Sequence, residues 1–268
     1  MHFFSDFSAR QVLWTLNFAA QLVLLVVLLG RNRVQRYPWF TAGIGLFALR
    51  LMAEELLAGR TAQLLYQEII LVLGDLAAIV GLLVLVEVAR RAFAGATRTK
   101  WILNTVGLLA VAGGVLTVLG PWPALKDLAW DSLLGKLRLM QLLALKGDIL
   151  VDVLTVELGL LVVLFGSHFK GGWRSHTQKI VIGLSTIAIT LLTLQGVFQS
   201  IFKAAHAHPP TQEEYKHILD LLGKLSNANR VVYIIVLVWW IVWLWRDEPG
   251  TTETPAAETA AEPEATQE

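Results

Sequence analysis

Seven stretches of this chain are each long and apolar enough to cross a bilayer, and nothing constrains its folding more. They lie near residues 11–30, 38–58, 64–90, 101–119, 142–166, 179–203 and 228–245. A spanning helix needs about 20 such residues, and in lipid the backbone must satisfy its own hydrogen bonds. The runs are too long for barrel strands, so an all-α, polytopic bundle of seven transmembrane helices is expected. With 55% hydrophobic residues, the composition agrees.

The first run is expected to be a retained span and not a signal peptide. No basic region precedes it and no small-residue cleavage site follows; Arg31, Arg33 and Arg36 come directly after it. The loop after the third run carries Arg90, Arg91, Arg98 and Lys100. The loop after the fifth carries Lys170, Arg174 and Lys179. These three loops contain no Asp or Glu, whereas the intervening loops mix signs, as in Lys126 with Asp127 and Asp131. The positive-inside rule then predicts the N-terminus outside and the C-terminus in the cytoplasm. Trp39, Trp101 and Trp173 fall where a cytoplasmic aromatic belt would sit.

Residues 1–246 therefore read as the membrane domain, and 247–268 as a disordered, acidic cytoplasmic tail. From Trp245 onward the chain holds seven acids against Arg246, without apolar periodicity. The basic loops are explained by topology, so nucleic acid is not an expected partner; the lipid bilayer is. Thr211 and Glu214 have capping-box spacing, and Tyr215, Ile218, Leu219, Leu222 and Leu225 follow at helical intervals. They predict an amphipathic helix lying along the outer surface. Residues 124–140 look similar but less regular, and the alternative is that they extend the fifth helix.

The fifth run, "LKGDILVDVLTVELGLLVVLFG" (145–166), carries Asp148, Asp152 and Glu157. Asp148 and Asp152 share one helical face, with Thr155 and Gly159 below them, while Glu157 points elsewhere. Other runs repeat the device: Arg50 with Glu54, Glu68 with Asp75, Asn17 with Gln21, and Gln195 with Gln199. At about 1.5 Å per residue, most of these fall in the outer half of the bundle. A charge at mid-bilayer costs about 3 kcal/mol on insertion scales, so such groups face the interior or a wet cavity. An interior polar cluster opening outward is expected, built from Arg50, Glu54, Glu68, Asp75, Asp148, Asp152, Gln195 and Gln199. Arg50 is placed to pair with Glu54 and with Asp75 or Asp152, and Lys146 sits at the rim. One Arg cannot neutralise five carboxylates, so some must be protonated, reach water or bind a cation. The plainer alternative is that the pairs only glue helices together. Glu87, beside Arg90 and Arg91, reads as one half of a local ion pair.

Several chemistries fail on composition. Without cysteine there are no disulfides, thiolate metal sites or thiol nucleophiles. The last helix has no lysine for a retinal Schiff base, and no His lies inside two spans for bis-His haem, so no cofactor is expected. His206, His208 and His217, with Glu213, are weak candidates for a metal at the outer surface. "EELLAGR" (54–60) with Phe202 and His206 slightly resembles the CAAX-protease family, where paired Glu activates water. Here the Arg is one residue too far from the Glu pair and no third motif follows. The chain is read as leaning away from an enzyme.

"RYPWFTA" (36–42), "WRSH" (173–176), "EVARR" closing the third helix and a Trp-rich last helix together resemble an uncharacterised family of bacterial seven-helix membrane proteins. That resemblance covers the membrane body and implies only the fold and a multi-pass location in a bacterial inner (cytoplasmic) membrane; the family has no assigned activity.

The expected function is a non-enzymatic sensor or receptor-like protein. Occupancy or protonation of the Arg50–Asp75–Asp152 cluster would shift helices and be read at the basic cytoplasmic loops. Signalling would then need a separate partner there. The alternatives are a proton- or cation-coupled transporter using the same carboxylates, and a structural or accessory subunit of a larger membrane complex. In the last case the tryptophans of the final helix (Trp239, Trp240, Trp243) would bind lipid, pigment or protein, lipid anchoring being the simplest.

Overall fold

The computed structural model describes residues 9–93, 107, 109, 111–118, 133–165, 175–207 and 211–247. Every regular element among them is a helix: α1 (Ala9–Gly30), α2 (Pro38–Leu57), α3 (Gln63–Ala92), α4 (residues 111–118), α5 (Leu133–Phe165), α6 (His176–Ala207) and α7 (Gln212–Trp245). Four of them, α1, α3, α6 and α7, are long and apolar enough to cross a membrane. At about 1.5 Å per residue, the 33 residues of α5 reach about 50 Å, well beyond the hydrocarbon thickness. What sets α2 and α5 apart is charge: Arg50, Glu54 and Glu55 in one, Lys146, Asp148, Asp152 and Glu157 in the other.

The helices form a closed ring. α1 packs on α2 and α7, α3 on α2 and α5, and α6 on α5 and α7, with α3 also touching α6 across the middle. Contacts near the tryptophans of α7 show the alternation of direction. The start of α2 meets the end of α3 through Phe40 and Glu87, and the start of α6 through Tyr37 and Thr177. The end of α7 meets the start of α6 through Trp240 and Lys179. α4 lies against the outside of α5, where Ala112 packs with Ile149 and Val153.

The main core fills this tryptophan end, with Leu24, Leu28, Tyr37, Phe40, Val88, Ile180, Leu237 and Trp240 all nearly inaccessible. The opposite face of α1 is apolar yet outward: Val26 and Leu29 are each 64% exposed. A surface of this kind suits lipid and not water. Small residues allow close approach. Gly183 lies directly under the Trp240 indole, whose Nε1 donates to the Lys179 carbonyl at 3.1 Å. Gly159 faces Ser185, which donates across to the Thr155 carbonyl at 3.1 Å.

Local chemistry explains the helix ends. After α1, Asn32 takes φ of 52°, the Arg33 N–H bonds the Leu28 carbonyl and the Asn32 N–H bonds that of Leu29. This is a Schellman stop, with Asn in the left-handed position it tolerates better than most residues. Pro38 then starts α2 at a position where its missing N–H costs no helical hydrogen bond.

Four expectations change here. The amphipathic helix after Thr211 has its capping box, but no break separates it from the last span: α7 runs unbroken over 34 residues. Residues 226–230 contain neither Pro nor Gly, so nothing stops the helix once Thr211 has started it. Residues 133–140 likewise belong to α5, which settles the alternative for that part of 124–140. Glu87 caps α2 as well as standing within electrostatic reach of Arg91, because the free N–H groups of a helix start are strong partners for a buried carboxylate. Lys146 turns away from the interior polar groups and donates to the Leu116 carbonyl on α4 at 3.0 Å. Trp101, Trp173 and the tail from 248 lie outside the described residues; Trp39 is 43% exposed.

Candidate functional site

Inside the ring lies a cavity of about 470 Å³, walled by α2, α3, α5, α6 and α7. Its polar groups are Arg50, Asp148, Asp152, Thr155, Gln195 and Tyr233. Helical spacing explains why they meet. Asp148, Asp152 and Thr155 lie on one face of α5, and Arg50 lies on the face of α2 that also carries Gly43 and Phe47. All of these line the cavity.

The electrostatics are uneven. Arg50 Nε donates to Glu54 at 3.2 Å, one turn along the same helix. Asp148 stands within electrostatic reach of both Arg50 and Asp75, and Asp152 within reach of Asp148. No hydrogen bond or ion pair to Asp148 or Asp152 is present among the described residues. Asp148 is nonetheless solvent-accessible, so the cavity is open at its level. Thr155 spends its hydroxyl on the Val151 carbonyl of its own helix at 2.6 Å. The Tyr233 hydroxyl lies against Gln21, whose amide in turn donates to Asn17 at 3.2 Å. The polar pair of α1 is thus buried behind the cavity wall and reaches it only through Tyr233.

The cavity is zoned. Towards the tryptophan end its walls are Phe40, Ile44, Val84, Leu184 and Trp240, and Phe40 meets Trp240 edge to face with ring centroids 5.0 Å apart. Arg50 lies ten residues further along α2 than Phe40, or about 15 Å away. Asp148 and Gln195 belong to that more distant half, and Asp152 lies midway, since Val151 packs on Gly81 and Gly43 on Val80 and Val84.

Of the residues singled out in the sequence, Arg50, Asp148, Asp152 and Gln195 share the cavity, and Glu54 joins it through Arg50. Asp75, Glu68 and Gln199 are half-buried and do not line it; one Asp75 carboxylate oxygen is buried with no partner among the described residues. Both oxygens of Glu157 are in the same condition. Tyr233 was not singled out; the available signal was a lone phenol in the apolar run of the last helix, 47 and 233 being joined by a ring contact of 6.4 Å. His217 is exposed, while His208 and the side chain of His206 lie outside the described residues. Among the described residues no group of three or more potential ligands is placed to hold a metal.

At the tryptophan end a second set of contacts joins the helices. Lys179 lies over the rings of Trp243 and Trp239, at 4.4 and 5.4 Å, and Arg31 lies over Trp245 at 4.9 Å. Asp247 bridges Arg31 and Arg33 at 3.5 and 3.7 Å. Trp240 does not belong with Trp239 and Trp243 on an outward face; it is 1% exposed and floors the cavity. No protein-family model, curated protein or solved structure matches this chain.

Proposed function

We propose that this is a non-enzymatic, receptor-like protein of a bacterial cytoplasmic membrane, with seven spans, an outer N-terminus and a cytoplasmic C-terminus, whose interior cavity binds a small molecule reached from the outer face. The orientation is supported by the basic residues gathered at the tryptophan end: Arg31, Arg33, Arg36, Arg90, Arg91 and Lys179. The resemblance to seven-helix bacterial proteins carried by "RYPWF" and "WRSH" agrees with it, and Tyr37 and Thr177, from or beside those motifs, bond at 2.8 Å.

One observation carries the reading: charged and polar groups from four helices converge on one space of about 470 Å³. Small-molecule pockets are typically about 300–1,000 Å³, mostly apolar, with a few convergent polar groups. Helix glue alone needs no such space. The coupling route is short. An occupant pressing on Phe40 and Trp240 pushes on the first turn of α2, held by Glu87, and on the start of α6 at Lys179. Both adjoin the basic end, where a separate partner would read the shift.

The specific observation favouring a second reading, proton or cation transport, is that Asp148 and Asp152 face the cavity with no ion-pair partner among the described residues. Native mass spectrometry of gently extracted protein, paired with flux measurements in reconstituted vesicles, separates the two. A receptor retains a non-protein mass and conducts no ions. An empty bundle with a proton or cation flux abolished by Asp152→Asn would replace the receptor reading with transport.

A further inference from the structure

Resting on the receptor reading, the zoning of the cavity names the class of its occupant. We infer that the cavity takes a single-chain organic cation, a protonated amine on a hydrocarbon chain, with its head between Asp148 and Asp152 and its chain against Phe40 and Trp240.

Charge sets the head. Arg50 is engaged by Glu54, so that pair is neutral as a unit. Thr155 has turned its hydroxyl to its own helix, and Tyr233 lies against Gln21. What remains to meet a ligand is Asp148, Asp152 and the amide of Gln195, with Asp75 behind Asp148 adding to the negative field. An anionic head would meet two carboxylates and find its one cation taken. An ammonium supplies three donors and a positive charge, and two carboxylates one helical turn apart with a neighbouring amide carbonyl can accept them.

Shape excludes a bare metal ion. Calcium and magnesium require six or more oxygens in a tight shell. Beyond these two carboxylates the lining oxygens are the Gln195 amide and the engaged hydroxyls of Thr155 and Tyr233, too few for such a shell, and the rest, Ile44, Val80, Val84, Leu184 and Ile187, leaves a space far larger than an ion. That same space fits a chain. From the level of Arg50 to Phe40 is about 15 Å along α2, and the far end is closed by two aromatic rings meeting edge to face. An amphiphile also has access, because it can enter at the level of Asp148, where the cavity is open.

The test uses the full chain in lipid nanodiscs with dodecylamine, dodecanol and dodecanoate, each also as its terminally brominated form. Binding is followed by the rise in unfolding temperature, and chain placement by bromine quenching of tryptophan, compared between the native chain and Trp240→Phe. The expected result is that dodecylamine stabilises at a concentration at least ten-fold below dodecanol, that Asp148→Asn with Asp152→Asn removes this preference, and that quenching falls in Trp240→Phe. Should the Asn variant not fold, the comparison of the three probes on the native chain decides alone. Dodecanol or dodecanoate matching the amine overturns the cationic head and leaves the cavity reading standing. If none of the three reaches Trp240 and the extracted protein retains no small molecule, both fall together.

Discussion

The carboxylate of Glu87, carried by α3, accepts the backbone N–H of Phe40 at 3.0 Å, so a side chain from one helix closes the first turn of another. Tyr37, at the N-cap of α2, makes no side-chain cap, which leaves Glu87 in that role. A buried N–H left without its acceptor costs about 1–3 kcal/mol, and a negative charge at a helix start adds a favourable dipole interaction. Glu87→Ala should therefore lower unfolding stability by about 2 kcal/mol. Glu87→Gln, which keeps an acceptor without the charge, should recover more than half of that loss. Unfolding in mixed micelles measures both, and equal losses in the two variants would remove the capping account.

Gly183 sits against the Trp240 indole with no room for a methyl group. The ring is pinned, because Nε1 bonds the Lys179 carbonyl and its edge meets Phe40. Gly183→Ala should then cost about 1–3 kcal/mol, as overpacking of a filled core does. Gly45, with open space where its Cβ would be, is the control: Gly45→Ala should be neutral or stabilising. The same variant pair read by tryptophan emission should show a shift for Gly183→Ala alone.

Much of the bundle was legible because two periodicities agreed. Apolar run length marked the helices, and the spacing of Asp148, Asp152 and Thr155 marked the inward face of α5. What failed was any inference that needed a partner from another helix. Glu87 reads as a neighbour of Arg90 and Arg91 along the chain, but its strongest partner is a backbone group 47 residues away. Lys146 sits between Leu145 and Asp148, both cavity residues, and still points to α4. Trp240 falls in a tryptophan-rich face by sequence, and only Gly183 on α6 explains why it turns inward. Side-chain period gives a direction on one helix; the ring order that decides what lies in that direction is a tertiary property.

Asn32 tests the turn between α1 and α2. Its φ of 52° lies in the left-handed region, where glycine is free of strain and a β-branched residue is not. Asn32→Gly should be within about 0.5 kcal/mol of the native chain, and Asn32→Val should lose about 1–2 kcal/mol. Since Arg33 follows directly and reaches Arg246 and Asp247, the Val variant should also loosen the end of α7. Hydrogen exchange at 244–247 reads that; unchanged exchange would mean the turn and the end of α7 are not coupled.

The cavity is tested most sharply by filling it without touching its charges. Ile187 and Val80 are apolar lining residues from α6 and α3. Ile187→Phe adds volume where the walls leave about 470 Å³ free, so it has space that a packed core would lack. Overpacking would cost about 1–3 kcal/mol, whereas entering a true cavity should leave stability unchanged or raise it. Ligand retention, read as the non-protein mass carried by the extracted protein, should fall in Ile187→Phe and in Val80→Phe. Both variants leave the Asp148 and Asp152 carboxylates in place. Loss of retained ligand with no loss of stability separates a binding chamber from a gap between helices; a stability loss of core size with retention intact would show that the space is closed by relaxation of its walls.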